Sequence, residues 1–161
     1  MALARDFKPV RLFVAATGDL TAAREWLSAE FGPVTLESER YDLTTFTDYY
    51  VEEMGRPQPK QLLAFGRIDP GAIADVKLRT NAREGAPRRL NLDPGYLTPA
   101  SVILASAKNF AHRVALRAGI FAEVTLVYRK EAASYVPLEH TFPDYRSTPV
   151  VYFFNRLRDL P

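Results

Sequence analysis

Two residues near the middle of the chain have the types and spacing for proton chemistry. His112 lies in the run KNFAHR, and Glu123 follows eleven residues later in the apolar run IFAEVTLVY. A carboxylate inside an apolar strand needs a partner or a functional reason, because burying an unpaired charge is costly. Imidazole exchanges protons near neutral pH, so we predict acid–base catalysis by His112, oriented by Glu123. A salt bridge from Glu123 to His112 or to an arginine is the structural alternative.

The other distinctive polar residues suit an anionic ligand. Arginine and lysine bind phosphate or carboxylate groups, and arginine can bind two oxygens at once. Several of these residues fall in predicted turns or at strand ends, where binding residues concentrate. We expect the segments 77–81, 91–96 and 108–123 to form one pocket for a small phosphorylated or nucleotide-like ligand. The candidate ligand-binding residues are Asp48, Tyr49, Lys77, Arg79, Asn81, Asn91, Asp93, Tyr96, Lys108, Arg113, Asp144 and Arg146.

Two alternatives to a ligand-binding enzyme stay open at this stage. The same basic and aromatic residues would suit a non-enzymatic module that binds a nucleotide, RNA or a protein partner. Alternatively, the polar residues form a buried network that stabilises the fold, and Asp144 and Arg146 pair locally across Tyr145. The residue types do not determine whether the protein is an enzyme or which cofactor, if any, it uses.

The composition excludes several classes of site. The chain has no cysteine, which rules out disulfides, thiolate metal sites and a cysteine nucleophile. With two histidines in the chain, and no recognised ligand spacing among Asp93, His112 and Glu123, we predict no metal ligands. The net charge of +2 does not indicate nucleic-acid binding. No GxxxxGK[ST] phosphate loop is present.

The N-terminal segment shows no targeting signal. The first ten residues, MALARDFKPV, contain no long apolar region, so no signal peptide is predicted. No apolar run in the chain approaches the ~20 residues that a membrane helix needs. We therefore expect a soluble cytoplasmic protein with no membrane partner. The oligomeric state does not follow from the residues.

Strand and helix signals alternate along the first half of the chain. The near-continuous apolar run Val10–Ala16 is typical of a central strand. Asp19 is a predicted N-cap for the helix that follows. Two further strands are predicted at 34–41 and 61–68. Asp69-Pro70 then combines an N-cap with a proline in the first turn, which predicts a second helix.

The second half begins with a predicted strand over 88–92. Asp93-Pro94-Gly95 is predicted to be a turn that ends this strand, because each residue favours a turn position. Thr98-Pro99 has the pattern of an N-cap followed by a first-turn proline. A largely apolar helix is therefore predicted to run from this point to about Asn109.

A β-hairpin is predicted for the segment 112–129, with a two-residue turn at Ala118-Gly119. In that register Val114 faces Glu123 across the hairpin. His112 then becomes a diagonal neighbour of Glu123. Long side chains can make contact across the distance that separates diagonal neighbours. The hairpin therefore predicts contact between the two candidate catalytic residues.

The last segment and the order of elements complete the predicted fold. Residues 131–142 are predicted to be irregular, and an amphipathic helix is predicted to begin at Ser147. The first six elements follow the βαββαβ order of ferredoxin-like folds. We predict an α+β fold, a single-domain sandwich over 1–161 with 1–8 as a short tail. Its mixed, largely antiparallel sheet carries packed helices, and a helix, a β-hairpin and a C-terminal helix follow the ferredoxin-like start.

Eight short motifs distributed over essentially the whole chain support a family resemblance. They are KPVRLFVA, FTDYYVEEMG, KLRTN, NLDPGYL, KNFAHR, FAEVTLVYRK, FPDYRS and FFNRLR. Together they resemble the uncharacterised bacterial family catalogued as domain of unknown function 4416. The resemblance implies no catalytic residues, ligand or cofactor, because none is established for that family.

Overall fold

One sheet of nine strands runs through the protein in this computed structural model, which describes residues 1–161. The strands are β1 Val10–Gly18, β2 Leu36–Glu37, β3 Tyr41–Asp42, β4 Pro59–Ile68, β5 Leu90–Leu97, β6 Ser101–Ser106, β7 Val114–Arg117, β8 Ile120–Arg129 and β9 Ser134–Pro137. The α-helices are α1 Leu20–Phe31, α2 Val51–Met54, α3 Ile73–Glu84 and α4 Thr148–Asp159. Short 3₁₀ turns span Leu43–Thr45, Pro70–Ala72 and Pro143–Arg146. None of the helices combines the length and apolarity that crossing a membrane requires.

The strand order confirms the predicted fold class. The sheet runs β2-β4-β1-β5-β6-β8-β7, with β3 also paired to β4 and β9 to β8, and each pairing is antiparallel. The part β2-β4-β1-β5 has the order of a ferredoxin-like sheet, and α1 and α3 are its two crossover helices. β6, β8, β7 and β9 extend this sheet on the β5 side, whereas β3 pairs with β4 on the β2 side. The protein is therefore a single α+β domain.

Both faces of the sheet are covered, and β1 shows how. Leu12 and Val14 point to the face that α1 and α3 cover, whereas Phe13 and Ala15 point to the face that α4 covers. Successive side chains of a strand alternate between faces, so a strand buried on both sides is apolar throughout. The continuous apolar run predicted to be a central strand therefore lies at the centre of the sheet.

The two predicted aspartate N-caps are confirmed. The Asp19 carboxylate accepts a hydrogen bond from Ala22 N at 3.0 Å. The Asp69 carboxylate accepts one from Gly71 N at 2.7 Å, ahead of the 3₁₀ turn that leads into α3. Ser147 also precedes its helix, but its hydroxyl donates to Asp144 O at 2.6 Å and caps no amide of α4.

The helix predicted from Thr98 to Asn109 is wrong, because this segment is a tight turn followed by β6. The Thr98 Oγ1 atom does accept hydrogen bonds from the amides of Ala100 and Ser101, as an N-cap would. The Thr98 amide then donates to Ser101 O at 2.9 Å, which closes a hairpin instead of a helical turn. β6 pairs with β5 and β8 on its two edges, and this pairing outweighs the local helix signal.

The turn predicted at Asp93-Pro94-Gly95 is also wrong, because β5 continues through it to Leu97. All three residues pair in register with β1. A side chain at Gly95 would place Cβ 2.2 Å from Ile103 O and 2.5 Å from the Phe13 ring. Glycine is therefore required at this position by close packing, and not by a turn.

Three smaller differences concern strand boundaries and register. The strand predicted at 34–41 is reduced to two short pieces, β2 and β3. The segment predicted to be irregular contains β9. The hairpin turn at Ala118-Gly119 is confirmed, with both φ angles positive, but a bulge in β7 places Val114 opposite Ala122 instead of Glu123.

Replacing Gly95 by alanine tests the close approach of β5, β6 and Phe13. We expect Gly95→Ala to destabilise the protein by about 1–3 kcal/mol, because the added methyl overfills a packed site. At this chain length that loss lowers Tm by roughly 3–10 °C in a thermal melt. Gly66→Ala in β4 is the matched control, since no atom lies within 4 Å of the position that its methyl group would take. Equal Tm values for the two variants would contradict the packing described.

Candidate functional site

A cleft opens where β5 and β6 separate. The two strands pair only between Gly95–Leu97 and Val102–Leu104, although β5 extends back to Leu90 and β6 onward to Ser106. The strands diverge on the N-terminal side of Gly95 in β5 and on the C-terminal side of Leu104 in β6. A cavity of about 350 Å³ lies between the separated parts. We call this cavity, with its lining from α3, β4, β5, β6, β8 and the segments around them, the fork cleft. Its volume is within the range of roughly 300–1,000 Å³ typical of small-molecule sites.

Side chains of α3 bind the β5 backbone where β6 has left it. Lys77 Nζ donates to Leu92 O at 2.9 Å, and the Leu92 amide donates to Glu84 Oε1 at 2.7 Å. A buried backbone group needs such partners. Burial raises the pKa of Glu84, against the opposing effects of the Leu92 amide and the Lys77 ammonium group. Both side chains are therefore built into the wall of the cleft.

The carboxylate of Asp93 lies beside Lys77 in the cleft. Its Oδ1 is 3.4 Å from Lys77 Nζ, and its Oδ2 accepts a hydrogen bond from Asn91 Nδ2 at 2.6 Å. Burial acts to raise the pKa of Asp93, but the ammonium groups of Lys77 and Lys60 and the Asn91 bond outweigh it, so the pKa is lowered. Asp93 is thus an anion that accepts hydrogen bonds at neutral pH.

Arg88 closes one side of the cleft through several acidic partners. It donates to both carboxylate oxygens of Glu53, at 2.8 and 2.6 Å, and to Glu84 Oε2 at 3.3 Å. Its Nη1 also donates to Asn91 Oδ1 at 3.0 Å, and the guanidinium lies over the Tyr50 ring. The Glu53 hydrogen bonds are the main reason that the pKa of Arg88 is raised.

A buried pair of opposite charges joins the cleft to the α4 side of the sheet. Lys60 Nζ and the Tyr41 hydroxyl both donate to Asp144 Oδ2, at 2.8 and 2.7 Å. Burial and the Asp144 carboxylate raise the pKa of Tyr41, which keeps its hydroxyl a donor. The Tyr145 hydroxyl is buried nearby without a hydrogen-bond partner, and burial followed by Asp144 and Asp93 raises its pKa.

Arg113 and Glu123 form a second buried pair in the wall of the cleft. Arg113 donates to Glu123 Oε1 from Nε and Nη2, at 3.3 and 2.9 Å, and to Ser106 Oγ and Lys108 O from Nη1. The arginine salt bridge expected as a structural alternative for Glu123 is therefore present. With 1% of its side chain exposed, the carboxylate has little access to a ligand in the cleft.

The mouth of the cleft is aromatic and carries one lysine. Tyr49, Phe110 and Phe142 each keep between 44 and 62% of their surface exposed. The ammonium group of Lys108 lies over the Tyr49 ring and contacts the Tyr49 hydroxyl. No carboxylate lies within 4 Å of Lys108. Its charge is therefore available to a ligand at the entrance.

Both histidines lie on the far side of Glu123. His112 Nε2 is 3.3 Å and His140 Nε2 is 3.7 Å from Glu123 Oε2. The two imidazole rings stack with 4.1 Å between centroids and 14° between planes. The contact between His112 and Glu123 predicted from the hairpin is present. His112 does not line the cleft, so catalysis by this pair on a ligand there stays a prediction.

Most of the predicted site residues converge, and five do not. The cleft is lined by Tyr49, Lys77, Asn81, Asn91, Asp93, Lys108, Arg113, Glu123 and Asp144. The other predicted residues lie elsewhere, namely Asp48, Arg79, Tyr96, His112 and Arg146. The three predicted segments thus do form one pocket, although not every residue in them faces it.

The outlying residues have other partners. Asp48 pairs with Arg56 on the surface, and Arg79 pairs with Glu30. Tyr96 lines a separate groove at the opposite end of β5.

The local pair expected between Asp144 and Arg146 is absent. Arg146 donates instead to the backbone carbonyls of Leu138, Glu139 and Thr141. Its side chain thereby stabilises the chain that leads into the 3₁₀ turn at Pro143, while Asp144 turns to the cleft.

The sequence analysis missed several residues of the cleft and its surroundings. They are Tyr41, Tyr50, Lys60, Glu84, Arg88, Phe110, His140 and Phe142. One of them carried a local signal. A carboxylate at the last residue of a helix, as at Glu84, opposes the helix dipole and indicates a specific partner. Lys60 carried none, because it stands between Pro59 and Gln61 ahead of the apolar run of β4, and only the folded structure shows that it is buried.

Comparison with known proteins places the chain in a family. The model of a domain of unknown function, DUF4416, matches residues 8–160. The chain belongs to the DUF4416 family. The resemblance carried by the eight sequence motifs is therefore confirmed over nearly the whole chain. No curated protein and no solved structure matches it.

The Asp93 contacts of this DUF4416 protein predict a pH-dependent contribution to stability. The lowered folded pKa means that the contribution is complete above the unfolded value of about 3.9 and is lost as the pH falls through the folded pKa. We expect Asp93→Asn to reduce the free energy of unfolding by roughly 1–3 kcal/mol at pH 7, with a smaller deficit near pH 3. Urea titrations at both pH values measure this difference.

Asp48→Asn is the matched control for that experiment. Its ion pair with Arg56 is exposed, and exposed pairs contribute little to stability. We expect no measurable change in this variant at either pH. A deficit in Asp93→Asn that is independent of pH would show that the lost contacts are not those of the ionised carboxylate.

Proposed function

We propose that the protein binds a small phosphorylated or nucleotide-like ligand in the fork cleft. The observation that carries the proposal is Lys108 at the cleft mouth, a cation without an acidic partner among exposed aromatic rings. The other cations that line the cleft, Lys60, Lys77, Arg88 and Arg113, each have a carboxylate partner. Lys108 is thus the residue with which an incoming anion makes the most favourable electrostatic interaction.

The aromatic rings beside Lys108 suit a flat ring system. Tyr49 is 62% exposed, and Phe110 and Phe142 are exposed as well. Rings of this kind stack on nucleobases, with about 1–3 kcal/mol per stacked base. A nucleotide whose base is held between these rings would bring its phosphate group to Lys108. The mouth therefore favours a nucleotide over a simple sugar phosphate.

The floor of the cleft supplies hydrogen-bond acceptors and an amide. Asp93 is ionised, and Asn91 lies next to it. Asp144 receives its two protein hydrogen bonds on Oδ2, which leaves Oδ1 without a protein donor. Ribose hydroxyls and exocyclic amines are donors that such oxygens bind. A small ligand with an anionic end and a donor end therefore fits the distribution of groups.

The balance of charge favours a small ligand over a polyanion. Five cations and four carboxylates line the cleft, which leaves a small positive excess. Nucleic-acid sites instead carry a strongly positive surface that follows the backbone. The proposal therefore concerns a single nucleotide-sized molecule. It assigns no catalytic step, because Glu123 is buried and held by Arg113.

The network of buried pairs supports a second candidate function, a purely structural role for these residues. Lys60 with Asp144, and Arg113 with Glu123, are closed pairs that need no ligand. This alternative explains the floor of the cleft but not its mouth. It assigns no structural role to Lys108 or to the exposed aromatic rings.

Calorimetric titration with matched probes tests the anion site. The probes are the four ribonucleoside monophosphates, ribose 5-phosphate and the corresponding unphosphorylated nucleosides. We expect Lys108→Ala to weaken binding of both phosphorylated classes about tenfold or more, since a hydrogen bond to a charged group contributes about 1.5–3 kcal/mol. Nucleoside binding should not change.

The exposed Lys130 provides the control for charge alone. It lies in the turn after β8, so Lys130→Ala removes one positive charge without touching the cleft. We expect this variant to bind each probe as the wild type does. Wild-type affinity in Lys108→Ala, or no binding of any phosphorylated probe at millimolar concentration, would reject the proposal.

A pair of substitutions at Tyr49 tests the aromatic mouth separately. Tyr49→Phe keeps the ring and removes the hydroxyl that contacts Lys108, whereas Tyr49→Leu removes the ring. We expect Tyr49→Leu to lose the preference for nucleoside monophosphates over ribose 5-phosphate, by about fivefold or more. Tyr49→Phe should keep that preference. The same calorimetric assay measures both, and an unchanged preference in Tyr49→Leu would exclude stacking on this ring.

A further inference from the structure

A gap in strand pairing brings the two histidines to one carboxylate. One edge of β8 is paired with β6. Its other edge is paired with β7 at residues 120–122 and with β9 at residues 126–129. Between these two partners, the Val124 carbonyl accepts a hydrogen bond from His140 Nε2 at 2.7 Å. His112, which precedes β7, enters the same gap and faces His140.

We propose that His112, Glu123 and His140 form a binding site for a divalent first-row transition-metal ion. Their ligand atoms all lie within 4.8 Å of one another. Glu123 Oε2 is 3.3 Å from His112 Nε2 and 3.7 Å from His140 Nε2. Two atoms that each lie 2.0–2.2 Å from a shared ion are roughly 3.3–3.6 Å apart at the tetrahedral angle. The three side chains are thus near the spacing that such an ion requires.

Two of the three ligand atoms are buried without a hydrogen bond. Glu123 Oε2 and His112 Nε2 are buried and unpartnered, although they lie 3.3 Å apart. Buried polar atoms of this kind are uncommon in folded proteins and call for an explanation. An ion between them would accept an electron pair from each.

The other carboxylate oxygen of Glu123 is fixed by Arg113. Oε1 accepts both hydrogen bonds from that guanidinium, so Oε2 alone points to the histidines. Hydrogen bonds that hold a metal-binding carboxylate in one orientation are a regular feature of metal sites. Two imidazoles and one carboxylate suit Zn²⁺ or Fe²⁺, with further positions left for water or a substrate.

Loading the site requires two local changes. His140 Nε2 carries a proton, because it donates to the Val124 carbonyl. That proton must move to Nδ1 through solvent, which leaves the imidazole neutral and frees the Nε2 electron pair. The two rings, now stacked at 14°, must also tilt so that both planes include the ion. Each change is confined to side chains that are partly exposed, at 29% for His112 and 26% for His140.

The composition makes the proposal unusually easy to test. The chain contains two histidines and no cysteine, so both imidazoles belong to this site and no thiolate competes for the ion. Nitrogen-15 NMR of the imidazole groups therefore reports on the site alone. The experiment records these spectra of the wild-type protein with and without a small excess of Zn²⁺.

We expect both imidazole spin systems to shift with saturation at one equivalent of Zn²⁺. His140 should change from the tautomer protonated at Nε2 to the one protonated at Nδ1. If neither imidazole shifts, or if only one does, the proposal is overturned. This measurement needs no variant and so does not depend on how a substitution folds.

Equilibrium dialysis against Zn²⁺ then assigns the ligands. We expect His112→Asn, His140→Asn and Glu123→Gln each to weaken Zn²⁺ binding at least tenfold, with folding checked by circular dichroism. Glu139→Gln is the matched control, because Glu139 is an exposed carboxylate beside His140 and outside the cluster. Should Glu123→Gln fail to fold, the two histidine variants still decide the outcome. Wild-type affinity in a folded histidine variant would overturn the site.

Discussion

The unpaired edge of β5 is the constraint on which the rest of the polar architecture depends. Where β6 leaves β5, the amide and carbonyl of Leu92 lose a strand partner, and buried backbone groups left unpaired cost roughly 1–3 kcal/mol each. Glu84 and Lys77 replace the missing strand with bonds of 2.7 and 2.9 Å. Both replacements are charged and buried, so each in turn needs a counter-charge. Arg88 beside Glu84 and Asp93 beside Lys77 meet that need and become walls of the fork cleft.

The need of a buried charge for a partner also distinguishes the floor of the cleft, where charges are paired, from its mouth, where Lys108 is not. Lys60 with Asp144, and Arg113 with Glu123, neutralise one another inside the protein, where an unpaired charge would be unfavourable. Charge at the mouth is exposed to water and needs no partner for stability, and Lys108 has none. A ligand therefore finds shaped, hydrogen-bonding groups below and an uncompensated cation above. Glu123, like Asp144, has one oxygen that accepts no hydrogen bond from the protein, and in Glu123 this second oxygen faces the histidine pair.

Local sequence patterns correctly predicted those elements whose local conformational preference agrees with their tertiary contacts. The apolar run of β1 indicated a central strand, and the Asp19 and Asp69 caps indicated helix starts; all three are found. The N-cap pattern at Thr98-Pro99 wrongly predicted a helix. The Thr98 hydroxyl accepts the expected hydrogen bonds from backbone amides, but the turn that it stabilises closes a hairpin. A capping hydroxyl suits both structures, and the choice depended on β5 and β8, which lie on either side of β6.

By itself the sequence determined the fold class, the central strand, the two aspartate helix caps and nine of the twenty residues that line the cleft. Only the tertiary structure decided that β5 and β6 separate, that Lys60 and Asp144 pair across 84 residues, and that His140 joins His112 at Glu123. The physical reason is the range of the interactions involved. Alternation and capping depend on neighbours a few residues apart, which the sequence shows directly. The partner of a buried charge or of a free strand edge depends on which distant segments the folded sheet brings together.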